Sequence, residues 1–438
     1  MKPLDALVDL ALLPAEKIPS SARAMARFSL FDWLACGRAG VNEPLAATLR
    51  DLAAQEGGKP VAALFGGGRA PARMAALVNG ATSHALDYDD THFGHIGHPS
   101  VGVYPAALAA AELAGAGAAQ VADAFLLGAE ASVRIGKVLG AVHYNQGFHQ
   151  TATAGAFGAT IAAGRLLGLD GPALRRALSL VATRASGLKS QFGAMGKPYN
   201  AGIAASNGVE AAQLARAGFT SADDGVFGPQ GFVPTHSDSP DIEAGFGEMP
   251  SGVFLFEDIK YKFHACCHGT HAMIEALNVL PRKVAAAQVA AVRLDTNPRW
   301  LKVCDIKQPR TGLEVKFSYA WLAGMVFEGI PTGDDRTYVD ALAEDARLVD
   351  FARKVIVTGK PAVTDMQALG EVELIDGSVL PFFHDLAAPL PHETLERGLR
   401  AKAAALLGAA EADRLWGAVA GLDSLSAAEL ATMLEAAK

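Results

Sequence analysis

Apolar positions between residue 1 and about residue 263 recur at the three- and four-residue spacing of helices that bury one face. In the stretch PSSARAMARFSLFDWLACGRAG, Ser20 or Ser21 can cap a helix whose apolar residues then recur in steps of three. Similar spacing with abundant alanine predicts further helices over 72–88, 101–115, 119–140, 151–167, 172–186 and 201–217. This part of the chain therefore predicts a large, all-helical domain of closely packed helices.

The hydrophobic pattern changes after about residue 264, where short β-like stretches become common. The stretches 290–296 and 353–359 predict strands, and GEVELIDGSVLPF predicts a hairpin that turns at Asp376 and Gly377. Between them, LEVKFSYAWLAGMVFEG predicts a helix, and the chain is helical again after Pro391.

The chain has 438 residues, which is more than one ordinary hydrophobic core holds, so two domains are expected. Hydrophobic residues make up 50% of the chain but aromatic residues only 7%, which favours cores of small aliphatic side chains. We predict a mainly α fold. A large all-helical domain over 1–263 is completed by 392–438 and accompanies a smaller α+β domain over 264–391.

The charge pattern argues against several classes of partner. The formal net charge is −8 and no block of lysine and arginine occurs, so nucleic acid and anionic membranes are not expected partners. The stretch MKPLDALVDLALLPAEKIPS carries charges and prolines, so no signal peptide is expected, and no run of about 18 apolar residues predicts a membrane span. Four cysteines without a CxxC pair predict a reduced, cytoplasmic protein.

The stretch HALDYDDTHFGHIGHPS, residues 84–100, is the densest in chemically active side chains. It holds four histidines and three aspartates, which can form a metal site or serve as acid, base and binding groups without metal. His92, His95 and His98 recur every third residue, but the glycines between them do not suit a regular helix. We expect His92 and His95 to be structural, and the metal site stays open as an alternative.

Three later stretches carry further candidates. His149 immediately precedes a predicted helix, where an imidazole lies at the positive helix end, although a structural histidine is equally compatible. Lys197 precedes a small-residue helix and can pair with a carboxylate or remain in solvent. Lys262 and His268 lie in IKYKFHACCHGTHAMIEAL, at the predicted domain junction where ligand sites are common.

Four motifs together resemble the MmgE/PrpD family. They are NGATSHALDYDDTHFGHIGHPS, GFHQTATAGAFGA, GKPYNAGIAASNG and YKFHACCHGTHAMIEAL, in this order along the chain. The resemblance implies a large helical domain, a smaller α+β lid domain, an active site between them and a homodimer. It further implies a small di- or tricarboxylic acid as substrate and no metal or organic cofactor.

The resemblance also implies the site residues. It points to Asp87, Thr91, His98, His149, Lys197 and Lys262, to which Tyr144 is added by its position near His149. His268 and Tyr319 are further candidates for substrate binding. The chain departs from the family in places: the decarboxylase pattern has one residue fewer between Thr91 and His98, the dehydratase pattern differs around KFHACCHG, and the family often has tyrosine at Trp321.

The chemistry expected of such a site is removal of a proton next to a carboxylate. His98 or His149 fits the base, Asp87 can orient it, and the lysines can stabilise the developing negative charge. We expect a dehydratase-type lyase, with a decarboxylase as a variant that loses CO2 before the proton step. The alternative is an epimerase of an amino-dicarboxylate such as iminodisuccinate, with Tyr144 and Lys262 as its two bases. A metal-dependent hydrolase and a non-catalytic binding protein are the remaining hypotheses.

Overall fold

The computed structural model describes residues 2–249 and 254–436, and it divides the chain into two compact units. The first unit comprises Met1–Tyr261 and Leu407–Lys438, and the second comprises Lys262–Leu406. Most of the described chain is helical, and the longer strands lie in the second unit. The predicted mainly α fold with a smaller α+β part is therefore confirmed.

Helices of 4 to 29 residues make up most of the described chain. They are α1 (Pro3–Ala11), α2 (Ser20–Ala39), α3 (Pro44–Glu56), α4 (Ala72–Ser83), α5 (Pro99–Ala114), α6 (Ala118–Gln146), α7 (Gln150–Thr153), α8 (Gly155–Leu166), α9 (Gly171–Val181), α10 (Gly196–Arg216), α11 (Phe232–His236), α12 (Ile242–Phe246), α13 (His271–Asn278), α14 (Pro298–Leu301), α15 (Gly312–Val315), α16 (Tyr319–Glu328), α17 (Ala346–Ala352), α18 (His392–Leu407), α19 (Ala409–Ala420) and α20 (Ala427–Ala431).

A four-stranded sheet organises the second unit. A short pair, β1 (Ala62–Ala63) and β2 (Arg69–Ala70), lies in the first unit, and the larger sheet contains β3 (Val289–Thr296), β4 (Val355–Gly359), β5 (Gln367–Leu374) and β6 (Val379–Asp385). Its order is β4-β3-β5-β6, with β3 and β4 parallel and the other pairs antiparallel. The predicted hairpin is correct: Gly377 adopts φ +82° between β5 and β6, a conformation that suits glycine.

Two predicted helices are shorter than the sequence pattern suggested. The helix expected over 72–88 ends at Ser83, because the chain turns at 84–87 and Asp87 adopts φ +51°. The helix expected within LEVKFSYAWLAGMVFEG is split into α15 and α16, since Ser318 caps the second helix by accepting a hydrogen bond from the backbone N–H of Trp321. In both places a local side-chain or turn interaction interrupts the apolar pattern.

The helix α18 groups differently from the sequence prediction. We expected 392–438 to complete the helical domain, whereas only the part from Leu407 onward groups with the first unit. The reason is packing: Leu395 and Leu399 are buried, and a Cβ at Gly398 would lie 2.7 Å from the ring of Phe263, within the same unit.

Close packing of α4 against α10 positions the candidate site. A Cβ at Gly80 of α4 would lie 2.9 Å from the Cα of Gly202 on α10, so these backbones approach as closely as glycine allows. The approach fixes the start of α10, which carries Lys197 and Asn200, relative to the turn that follows α4. Among the described residues, none of the helices is both long and apolar enough to cross a bilayer.

Candidate active site

Two histidines of the first unit stand at the starts of two helices. His98 is the N-cap of α5 and His149 is the N-cap of α7, both in an extended backbone conformation that the sequence anticipated from the helices that follow. The backbone N–H of His98 donates to the hydroxyl of Thr151 in α7, at 3.0 Å, which ties the two helix starts together. The packing of α5 and α7 therefore holds both imidazoles in one region.

Asp89 lies between two imidazoles at the centre of this region. Its Oδ1 is 2.8 Å from Nδ1 of His84, and its Oδ2 is 2.7 Å from Nδ1 of His98. The side chain of Asp89 is fully buried. Burial alone would raise the pKa of Asp89, but the two imidazoles outweigh it and hold that pKa well below its ordinary value. Asp89 is thus a carboxylate: its Oδ1 accepts a hydrogen bond from Nδ1 of His84, and its Oδ2 pairs electrostatically with Nδ1 of His98.

The carboxylate fixes the tautomer of His98. Because the anionic Oδ2 of Asp89 lies 2.7 Å from Nδ1, the neutral ring of His98 is more stable with its proton on Nδ1, which leaves the lone pair on Nε2. Burial lowers the pKa of His98 to about 4, against the opposing charge of Asp89, so the ring is neutral near pH 7. Its Nε2 lies 3.5 Å from Oδ1 of Asp87. His98 is therefore arranged as a proton acceptor.

Asp87 links His98 to a cation. The turn after α4 gives Asp87 a positive φ, an uncommon conformation for residues other than glycine that occurs at functional sites. Oδ1 of Asp87 lies 2.7 Å from Nζ of Lys197, in the first turn of α10. The side chain of Asp87 remains 39% exposed, whereas that of Lys197 is 16% exposed. A ligand that replaces Asp87 would find the ammonium group of Lys197 already in place.

His149 has the opposite tautomer. Nδ2 of Asn200 donates to the carbonyl of Leu188 at 3.3 Å, which identifies it as the amide nitrogen, and it lies 3.1 Å from Nδ1 of His149. Nδ1 of His149 therefore accepts, and the neutral ring carries its proton on Nε2. Burial first, and then the charge of Lys197, hold the pKa of His149 well below its ordinary value. His149 is arranged as a hydrogen-bond donor.

The structure brings four of the predicted residues together with two that the sequence had not selected. His84 stacks on His149 with ring centroids 6.2 Å apart and lies edge-on to His98 at 4.5 Å. Asp87, His98, His149 and Lys197 are the predicted members of this group, and we refer to these four with His84 and Asp89 as the histidine–aspartate cluster. Nε2 of His84 is buried and has no hydrogen-bond partner among the described residues.

Other predicted residues have different surroundings. Thr91 exchanges backbone hydrogen bonds with Lys260 at 2.8 Å in both directions. The ring of Tyr144 lies 3.6 Å from Nζ of Lys189, which also donates to the carbonyl of Tyr144. Both candidates belong to the first unit, and Tyr144 is engaged by a lysine that the sequence had not considered.

Three predicted residues belong to the second unit. Lys262 is buried, and His268 stacks against His271 with ring centroids 4.7 Å apart. Tyr319 is buried, donates to the carbonyl of Gly269 at 2.8 Å and lies 3.0 Å from Oγ1 of Thr296. These contacts give Tyr319 a packing role within the second unit, and burial raises its pKa well above the ordinary value.

The sequence did not single out His84, Asp89 or Asn200 as site residues. His84 and Asp89 were assigned to a helix and its end, since the helix was expected to continue to residue 88. Their spacing of five residues across a turn, rather than three or four along a helix, was the usable indication. Asn200 lies in a predicted helix with no indication that its amide reaches His149.

A four-residue group also has the composition of a metal site. Ligand atoms of His84, Asp87, Asp89 and His98 all lie within 4.8 Å of one another. The histidines differ from the triplet whose spacing suggested a metal, since His92 and His95 are not part of this group. Asp89 already pairs with two imidazoles, and Lys197 occupies the position beside Asp87 that a cation would take. The donors are thus engaged with one another.

Fold and cluster together define a two-unit, mainly α protein with a buried imidazole–carboxylate site. The model of the MmgE/PrpD N-terminal domain matches residues 10–245, and that of the MmgE/PrpD C-terminal domain matches residues 264–420. The chain therefore belongs to the MmgE/PrpD family, and the prediction from the four motifs is confirmed.

Curated relatives share part of the chain. A cis-aconitate decarboxylase of Aspergillus terreus (strain NIH 2624 / FGSC A1156) is 30% identical over 286 residues, which are 62% of this chain and 58% of the relative. The cis-aconitate decarboxylase of Homo sapiens is 31% identical over 190 residues, or 41% of this chain and 35% of the relative. That of Mus musculus is 25% identical over 286 residues, or 58% and 54%. The chain thus spans less than two thirds of the length of these relatives.

Proposed function

We propose that the protein is a lyase that acts on a small tricarboxylic acid by proton transfer at the histidine–aspartate cluster. The observation that carries the proposal is the contrast at Nδ1 of the two rings: a carboxylate oxygen faces Nδ1 of His98, whereas an amide N–H faces Nδ1 of His149. This contrast favours an acceptor at Nε2 of His98 and a donor at Nε2 of His149. Family membership and the names of the relatives, cis-aconitate decarboxylases, support the substrate class.

In the proposed reaction His98 removes a proton from a carbon next to a carboxylate. The electron pair released at that carbon is delocalised into the carboxylate, where the ammonium group of Lys197 stabilises the charge. A bound polycarboxylate places negative charge near His98, which raises its pKa from about 4 toward the range useful for a base. Asp89 keeps the ring oriented and stabilises the imidazolium that forms.

His149 completes a dehydration. As the new carbon–carbon double bond forms, the bond to the β-hydroxyl breaks, and the N–H donor at Nε2 of His149 stabilises the negative charge on the leaving oxygen. The proton that converts the leaving hydroxide into water comes from the protonated His98, because a neutral His149 that lost its proton would become an imidazolate anion. The products are an unsaturated acid and one water molecule, and both rings are again neutral. Lys262 remains the predicted second cation for the substrate carboxylates.

Decarboxylation is the second candidate, and the names of the relatives favour it. Here the bond between a carbon and its carboxylate breaks first, CO2 leaves, and the electron pair stays on the carbon. That electron pair is then protonated by a histidine of the cluster in its imidazolium form, and the neutral ring that remains binds a proton from solvent before the next turnover. The dehydratase requires both a base and a donor for the leaving oxygen, whereas the decarboxylase requires only a protonated histidine.

One experiment separates these outcomes. The purified protein is incubated with citrate-type hydroxy acids and, separately, with cis-aconitate, and product formation is followed by ultraviolet absorbance of the alkene and by CO2 release. Alkene formation from a hydroxy acid without CO2 supports the dehydratase; CO2 release from cis-aconitate supports the decarboxylase. If a substrate proton exchanges in heavy water and the configuration of its carbon is inverted, while neither an alkene nor CO2 forms, the lyase is contradicted. That result supports the epimerase alternative.

The His98→Asn and His149→Asn variants test the roles of the two rings. Loss of the base should abolish dehydration, with rates falling by about 10²–10⁴-fold. If decarboxylation is the reaction, His98→Asn and His149→Asn should lower its rate by different factors, because only one of the two rings donates the proton. Equal, small effects of both substitutions would remove the cluster from the reaction.

A further inference from the structure

A cavity in the first unit lies outside the histidine–aspartate cluster. It has a volume of about 390 Å³ and lies between α4, α10 and the segment that follows α9. Seven polar side chains contribute to its walls: Arg73, Thr183, Arg184, Ser186, Tyr199, Ser206 and Asn207. None of them belongs to the proposed proton-transfer machinery.

The two arginines of this cavity differ in their partners. Arg184 lies 2.9 Å from Oε2 of Glu210 and donates to Oδ1 of Asn207 at 3.0 Å, so its charge is balanced. Arg73, in the first turn of α4, forms no recorded ion pair or hydrogen bond with residues 2–249 and 254–436. The cavity therefore presents one guanidinium group without a counter-charge, and guanidinium binds carboxylate and phosphate oxygens in paired hydrogen bonds.

Hydroxyl groups line the same cavity. They belong to Thr183, Ser186, Tyr199 and Ser206, and none of them forms a hydrogen bond within the described part of the protein. Hydroxyl groups donate to anionic oxygens. We propose that this cavity binds a small organic or inorganic anion, with one carboxylate or phosphate group on Arg73.

The cavity is also connected to the histidine–aspartate cluster through two shared elements. The segment that supplies Ser186 continues into Gly187, whose carbonyl accepts from the backbone N–H of His149 at 3.0 Å. Tyr199 on α10 precedes Asn200, whose amide donates to Nδ1 of His149. An anion that orders these walls therefore acts on His149, the ring that we propose as the hydrogen-bond donor to the leaving oxygen. This coupling rests on the proposed function, whereas binding itself does not.

Binding is tested by calorimetric titration with inorganic phosphate and with succinate. The titrations use a Lys197→Ala variant, because Lys197 belongs to the histidine–aspartate cluster and would attract the same anions. We expect saturable binding of at least one anion, weakened about ten- to hundredfold by an added Arg73→Ala substitution. The matched control is Arg216→Ala, an exposed arginine at the other end of α10, which should leave the affinity unchanged.

The two titrants distinguish the possible ligands. Binding of phosphate alone assigns a phosphate group to the site, and binding of succinate alone assigns a carboxylate. Binding of neither, or binding that Arg73→Ala and Arg216→Ala weaken equally, overturns the proposal. Arg73→Lys retains the charge, so this variant should bind the anion with intermediate affinity. That result would show that the loss of binding in Arg73→Ala does not reflect loss of the fold.

Analytical ultracentrifugation of the same variants covers the remaining outcome. If Arg73→Ala changes the oligomeric state and neither anion binds, the cavity is part of a protein interface and the anion site is refuted. An effect of phosphate or succinate on turnover by the protein with Lys197 intact, absent in Arg73→Ala, would support the coupling to His149. Anion binding without such an effect leaves the site intact and contradicts only the coupling.

Discussion

The four histidines between residues 84 and 98 form two pairs with different surroundings. His84 and His98 each direct Nδ1 to Asp89, and the other nitrogen of each ring remains available. His92 and His95 are instead held by the backbone and by close packing. The comparison shows that the number of histidines in the stretch is a poor indicator of chemistry. A carboxylate on one ring nitrogen, with the second nitrogen free, is the informative feature.

Of the structural pair, His92 uses both ring nitrogens to hold the loop, whereas the ring of His95 is held by close packing. Nε2 of His92 lies 2.9 Å from the carbonyl of Leu255, and Nδ1 accepts from the backbone N–H of His95 at 3.1 Å. His95 is fully buried, and a Cβ at Gly97 would lie 2.9 Å from its ring. These contacts agree with the expectation that His92 and His95 are structural.

The largest effect is expected from Asp89→Asn, which breaks the pair His84 and His98. An amide in place of the carboxylate can donate as well as accept, so it no longer fixes the proton of His98 on Nδ1. A comparable loss in a catalytic triad costs about 10⁴-fold, and we expect kcat to fall by about 10³–10⁴-fold. Steady-state kinetics with the substrate found in the activity experiment measure the fall in kcat, and circular dichroism verifies that the variant is folded.

The control for Asp89→Asn is His92→Gln, in the structural pair. It removes hydrogen bonds to the backbone of the loop, and we expect it to lower the free energy of unfolding by about 1–3 kcal/mol. The kcat of the folded fraction should change by less than about tenfold. A larger loss of kcat for His92→Gln than for Asp89→Asn would reverse the assignment of the two pairs.

The next largest effect is expected from Asn200→Asp, which targets the other tautomer. A carboxylate at this position would accept from Nδ1 of His149 and move the proton of the neutral ring away from Nε2. We expect kcat to fall by about 10²-fold and the pKa of His149 to rise, which displaces the pH profile of kcat. Asn200→Ala, which imposes no tautomer, is the matched variant and should be affected less.

A pH profile of kcat identical to that of the unsubstituted protein, together with unchanged kcat in Asn200→Asp, would contradict the assigned tautomer of His149. Loss of protein stability alone cannot imitate the expected result, because it lowers the amount of folded protein without displacing the pH profile of kcat.

A smaller effect, shared by both pairs, is expected on stability. The pKa values of His98 and His95 are lowered to about 4 and about 3 by burial, against about 6.5 in the unfolded chain. The unfolded state therefore binds more protons as pH falls from about 6.5 toward 4, and stability decreases by about 1.4 kcal/mol per pH unit for each such histidine. Urea unfolding at a series of pH values measures the slope.

Carboxylates whose pKa is raised by burial oppose this trend, and they include Glu112 and Glu130 as well as Asp90. Burial raises the pKa of Asp90 to about 7, with the charge of Asp32 adding to the shift, so the folded state binds a proton there that the unfolded state does not. His143, lowered to about 4, and His149 add to the histidine side, so the histidines outweigh Asp90. Stability that is constant or rises between pH 6.5 and 4 would contradict the neutral, buried state of these rings.

The sequence predicted much of the fold because periodic apolar positions and turn residues act locally. The helices of the first unit, strands β3 and β4 and the turn at Gly377 follow from such patterns. The end of α4 at Ser83 and the grouping of α18 did not, since a turn at Asp87 and packing against Phe263 decide them. Both depend on contacts that no local pattern records.

The candidate site was predicted only in part, for the same reason. Family motifs pointed to Asp87, His98, His149 and Lys197, which lie in one cluster. They did not reveal that Asp89 orients two rings. The adjacent Asp90 illustrates the difficulty: it accepts from hydroxyls of Ser29 and Ser100 and serves packing, although the two aspartates are neighbours in the sequence.

The smallest effect is expected from removal of metal ions. His84, Asp87, Asp89 and His98 have the composition of a metal site, but Asp89 pairs with both imidazoles and Asp87 pairs with Lys197. A divalent cation would have to displace the ammonium group and take the protons from both rings, which costs two charge-assisted contacts. We therefore expect dialysis against a chelator to leave kcat and the melting temperature unchanged. Elemental analysis of protein purified without a histidine tag provides the control. The contradicting result is stoichiometric zinc, iron or manganese, together with activity that is lost on chelation and restored by that metal. It would show that the loop binds a metal and that the two histidine pairs do not differ as described.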